Sequence, residues 1–96
     1  NGYAYHYRVK FQDKAFNLGN YNGDLREAIA PGYAITWDPS VPNYNPEAGH
    51  VAIVTKVEEG MVWIAESTTW GTGRYHFNYR ALKIDDLKKE GIWFIP

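Results

Sequence analysis

The 96 residues contain no cysteine. Within them that excludes disulfides, thiolate metal sites and a cysteine nucleophile. It says little about redox compartment. No apolar run approaches the length that crosses a bilayer, so no membrane partner is expected. No secretory leader opens the chain, although a mature or trimmed chain would have lost one. Basic runs are missing too, and the formal net charge is -1. Nothing therefore suggests electrostatic capture of nucleic acid. Internal repeats, low-complexity segments and domain boundaries are also absent, and this length supports one domain, residues 1–96, with one modest core.

Aromatic residues, by contrast, are plentiful at 17%, with eight Tyr and four Trp. They favour strands, and in loops they can form a binding surface. The first stretch alternates, with Tyr3, Tyr5, Tyr7, Val9 and Phe11 separated by more polar residues. Period two predicts a strand. Asn17 to Gly23 is Gly- and Asn-rich and reads as loop. Asp24 can cap a short helix over 25–30, which Pro31-Gly32 ends. Tyr33 to Trp37 reads as a strand. Asp38 to Ala48, rich in Pro and Asn, reads as a loop leading to His50. Thr68 to Gly73 is a loop or bulge. Arg74 to Arg80 alternates again, with Tyr75, Phe77 and Tyr79 on one face and His76 and Asn78 on the other. Asp85 or Asp86 starts a second short helix over 87–90, closed by Gly91. Ile92 to Ile95 is a final apolar strand. The expected fold is α+β: an antiparallel sheet of four to six strands with two short helices.

Two adjacent runs stand out, Gly49 to Val57 and Met61 to Ser67. Both are rich in β-branched and aromatic residues, and Glu58-Glu59-Gly60 lies between them. That is a hairpin signal. A three-residue loop with Gly60 in the left-handed conformation sets Val57 opposite Met61, Ala52 opposite Glu66 and His50 opposite Thr68. His50 and Glu66 then share a face as diagonal neighbours, roughly 7–8 Å apart at the backbone. If the loop were two residues instead, Glu66 would turn to the opposite face and the pairing would fail. A carboxylate at that reach can hold an imidazole in one tautomer. The plainer alternative is that His50 ends a strand and Glu66 sits on a wet face.

His50 and Glu66 fit the base and the orienting carboxylate of a nucleophilic hydrolase. Thr68 could face His50, whereas Ser67 alternates away, and no strained elbow motif surrounds either. A metal site needs further ligands, and neither His6 nor His76 has ligand spacing to His50, so no metal or other cofactor is expected. Gly71-Thr72-Gly73 is followed by no helix, which removes a phosphate-loop reading. Trp37 and Trp70 border the loops around the site. Either could stack on substrate, with core packing the alternative for both.

Pro31-Gly32-Tyr33-Ala34-Ile35-Thr36-Trp37, then Gly49-His50-Val51-Ala52-Ile53-Val54, then Val62-Trp63-Ile64-Ala65-Glu66, resembles the CHAP amidase/peptidase family of the papain-like NlpC/P60 superfamily. Arg80 and the closing Gly91 to Ile95 also look like the end of such a domain. The resemblance covers roughly residues 31–96. It implies a papain-like half-barrel and hydrolysis of an amide bond in peptidoglycan or a related peptide amide, by a secreted or cell-wall-associated protein. It carries His50 over as general base and Glu66 as its orienter. Trp37, Trp70 and Thr68, from their places around that pair, are expected to contact substrate. The family's nucleophilic cysteine is missing here. Tyr3-Ala4-Tyr5-His6-Tyr7-Arg8 looks like the residues after that cysteine, which would fall at about Asn1 or before it. The family wants a helix there, where the alternation reads strand. Three readings follow. The cysteine-bearing helix precedes Asn1; the cysteine is substituted, leaving an inactive binding module; or another segment or chain supplies it.

Overall fold

In a computed structural model, residues 13–44, 49–68 and 76–96 are described, the side chain of Thr68 excepted. The alternating segment from Tyr3 to Phe11 lies outside them, as do His6, Tyr75 and the loop containing Trp70. The elements run α1 (Leu25–Ala28), β1 (Ala34–Trp37), β2 (His50–Glu58), β3 (Met61–Thr68), β4 (His76–Lys83), α2 (Ile84–Leu87) and β5 (Ile92–Ile95). The five strands form one sheet in the order β4-β3-β2-β1-β5. Every pairing is antiparallel. This is the α+β architecture expected, and the sheet stays open rather than closing into a barrel.

Burial explains the sheet. Ile35 and Trp37 of β1, Ala52 and Val54 of β2, Val62 and Ile64 of β3, and Ile92 and Phe94 of β5 join one buried cluster. They sit at alternate positions, as one face of a pleated sheet requires. Leu25 and Ile29 from α1 and its C-cap, Leu87 from α2, and Leu18 and Val41 from loops complete the cluster. Each Val, Leu, Ile or Phe side chain among them contributes about 1.5–3 kcal/mol on burial. Phe16 pairs with Phe94 in an isolated bridge, tying the incoming chain to β5.

The hairpin reaches the expected register by a different route. Glu58 pairs with Met61, so the loop is two residues, Glu59 and Gly60. Gly60 takes the positive φ of 79°. The register then shifts between Val54 and Lys56, leaving exposed Thr55 as a bulge. Beyond it, Ala52 faces Glu66 as predicted. A bulge sets two residues against one and steps the register once. The shorter loop and the bulge together equal the three-residue loop expected from sequence.

Other boundaries move by a turn or less. Asp24 does cap α1, accepting from the Arg26 amide at 2.9 Å. The helix is one turn, ending at Ala28 rather than Ala30. The second helix begins at Ile84, so Asp85 and Asp86 lie in its first turn and the predicted span 87–90 is too late. Carboxylates there suit the positive end of the helix. β4 runs on to Lys83. Its alternation holds, but the aromatic face is the outer one, with Phe77 77% and Tyr79 72% exposed. Asn78, Arg80 and Leu82 occupy the partly buried positions.

Candidate functional site

Gly49 precedes β2 with φ +71, a conformation side chains rarely adopt. A Cβ on it would run into the Trp37 carbonyl oxygen. Glycine therefore lets β2 begin close against the end of β1, where His50 pairs with Trp37. That placement takes the imidazole below the surface: His50 is 4% exposed and Glu66 2%.

His50 Nε2 lies 2.6 Å from Glu66 Oε1. Glu66, on β3, is held from the two strands that flank it, β2 and β4. Arg80 reaches it from β4, with Nε donating to Oε2 at 2.6 Å and Nη2 to Oε1 at 3.2 Å. Asn78, directly across from Glu66, donates from Nδ2 to Oε2 at 2.8 Å. Burial pushes the Glu66 carboxyl upward, but the hydrogen bonds from His50, Arg80 and Asn78 outweigh it and bring it down from 4.5 to about 2. Burial also works against the Arg80 charge, and its bonds to Glu66 and Tyr44 more than restore it. Glu66 is thus an ionised carboxylate with no exposed side-chain surface, beside an Arg80 that still reaches solvent.

Aromatic rings fix the other side of the imidazole. Tyr44, on the loop after β1, stacks on His50 with centroids 5.3 Å apart. Trp37 stacks on Tyr44 at 4.9 Å and meets His50 at 5.1 Å. Arg80 Nη2 also donates to the Tyr44 hydroxyl at 3.0 Å. One guanidinium therefore joins the carboxylate that holds the ring to the tyrosine that stacks on it. A groove of about 310 Å³ passes beside Tyr44 and Arg80, bounded by Val41, Leu82, Asp86 and Lys89.

The residues singled out from sequence fall in distinct places. His50 and Glu66 are in direct contact. Trp37 is 2% exposed and packs within the core and against His50. Thr68 closes β3 opposite His76. Trp70 lies outside the described residues. Among those residues no group of His, Cys, Asp and Glu is arranged to hold a metal ion. Asn78 and Arg80 are site residues that hairpin reasoning did not reach. Continuing the pleat of β3 into β4 would have found them, because Glu66, Asn78, Arg80 and Leu82 share a face. The stretch between Thr68 and His76 carries Gly71 and Gly73 but no turn motif of defined length to set that register.

Chemically, a neutral imidazole whose Nε2–H points at a carboxylate keeps Nδ1 as its basic nitrogen. Such a ring can take a proton from a nucleophile and return it to a leaving amine, while the carboxylate stabilises the imidazolium in between.

The family model described as CHAP domain matches residues 1–68, a span that includes both His50 and Glu66 and ends before Asn78 and Arg80. No curated protein and no solved structure matches the chain.

Proposed function

The chain belongs to the CHAP domain family, and from that premise we propose that it is an amide-bond hydrolase domain of the Cys-His-Glu type, acting on peptidoglycan or a related peptide amide. The family is generally associated with peptidoglycan amidase and hydrolase function. The observation that carries the reading is the buried 2.6 Å contact between His50 Nε2 and Glu66 Oε1, inside the matched span.

The nucleophile comes from outside these 96 residues, which hold no cysteine. Its thiol proton passes to His50 Nδ1 and the thiolate attacks the substrate carbonyl carbon. The tetrahedral adduct collapses as the C–N bond breaks, and His50 returns the proton to the leaving amine. Water, deprotonated by the same nitrogen, then cleaves the thioester and frees the acid and the thiol. Glu66 holds the ring and offsets its charge while it is protonated. Trp37 supports the ring from the core side; Trp70 and Thr68 contact the substrate. In this reading residues 1–96 form one domain of a secreted or cell-wall-associated protein, completed by the segment bearing the cysteine.

The test supplies a cysteine nucleophile upstream of Asn1 and measures amino groups released from purified peptidoglycan. His50→Ala is expected to lower turnover by several orders of magnitude and Glu66→Gln by less. Equal, mild losses in the two variants would remove both assignments.

The absence of cysteine favours one second reading, a catalytically inactive module of the same fold that binds cell wall. Cosedimentation with cell walls, without amine release from any cysteine-supplied form, is its signature.

A further inference from the structure

The Glu66 side chain has no exposed surface. Two groups that can be positive reach its oxygens, Arg80 through two nitrogens and His50 through Nε2. Asn78 adds a hydrogen bond without charge. One buried carboxylate calls for one counter-charge, and a second uncompensated charge in a dry site is costly. The two candidates differ in kind. Guanidinium stays protonated throughout the accessible pH range, whereas imidazole can release its proton.

We propose that Arg80 is a positioning residue of the His50 site: by supplying the single positive charge that Glu66 needs, it leaves His50 neutral, with its hydrogen on Nε2 and its lone pair on Nδ1. The geometry suits that task. The guanidinium meets the carboxylate through a two-nitrogen fork, which a lysine cannot reproduce. The same Nη2 holds the Tyr44 hydroxyl, and Tyr44 lies over the His50 ring. Among the described residues, the titratable and charged groups that face His50 are Glu66 from β3, Arg80 from β4 and Tyr44 from the loop after β1. Trp37 and Asn78 complete the described surroundings without titrating. Without Arg80, the cation nearest Glu66 is a protonated His50. The ring would then hold its proton to higher pH, and a smaller fraction of it would be available as a base at neutrality.

This inference rests on reading His50 as the base, but its test follows proton binding rather than turnover, so either can fail alone. The His50 ring nitrogens are followed by ¹⁵N NMR across pH in the chain as it stands. Arg80→Met, which keeps the apolar stem, is expected to raise the protonation midpoint by about one pH unit or more, a tenfold gain in proton affinity. Arg80→Gln, which also keeps a hydrogen-bond donor, is expected to do the same and serves if the methionine variant does not fold. Arg80→Lys is expected to return the midpoint to within about half a unit of the parent. An unchanged or lowered midpoint in the uncharged variants would overturn the proposal. So would a rise in Arg80→Lys as large as that in Arg80→Met, because charge would then not be the agent.

Discussion

At Gly49 the backbone does what a side chain would forbid. Its φ is +71, and the Trp37 carbonyl oxygen occupies the place a Cβ would take. Alanine must adopt the strained conformation and also separate the starts of β1 and β2. Gly49→Ala is expected to cost at least about 2 kcal/mol. Urea unfolding measures that cost, and loss of the His50–Glu66 contact should accompany it. Substitution at Gly60 is milder by comparison. Its φ is +79, but no atom lies within 4 Å of a Cβ there. Strain then remains without collision. The glycine beside the histidine is thus required by packing as well as by its backbone conformation.

The hairpin of β2 and β3 shows what a sequence can and cannot convey about an element. The facing of Ala52 and Glu66 was legible because an odd number of residues lies between them. Parity allows one odd loop, or an even loop with one bulge. The choice between those two was hidden, since Glu58-Glu59-Gly60 suits either and Thr55 carries no local signal for a bulge. β4 was legible as a strand from its alternation. Which of its faces turns inward was not, because that depends on pairing across the stretch after Thr68. Hydrophobicity points the wrong way there: Phe77 and Tyr79 are outside, while Asn78 and Arg80 are drawn toward the Glu66 charge. The bulge leads to an element-level prediction. Deleting Thr55 removes the unpaired residue and leaves every other pair in place, so the His50–Glu66 contact should survive with a modest loss of stability. Deleting Ile53 instead forces either Val54 or His50 off the core face. That variant should lose the contact or fail to fold, as thermal unfolding and the His50 ring resonances would show.

For the whole molecule, the site is also a term in the stability of the fold. Glu66 is carried down to about 2 from 4.5 in the folded chain. Its ionised form therefore stabilises the native state above pH 4.5, and that contribution is lost as pH falls from about 4.5 through about 2. The amount is of order 3 kcal/mol, a large share of what a domain this small has to spare. Acid unfolding should steepen in that window, and Glu66→Gln, weaker at neutral pH, should lose most of that acid dependence. Denaturant titrations at pH 6 and pH 3 measure both. The sheet order places Glu66 between partners on β2 and β4, so loosening it loosens the half of the sheet that carries the chemistry. The Thr55 bulge has a consequence for how such a domain can change length over generations. A residue gained or lost in the hairpin acts like a shift of reading frame, and the bulge is the built-in suppressor that restores phase before Ala52 and His50. Descendants of this hairpin can therefore shed Thr55 by itself. Elsewhere in the two strands, viable length changes must come in compensating pairs.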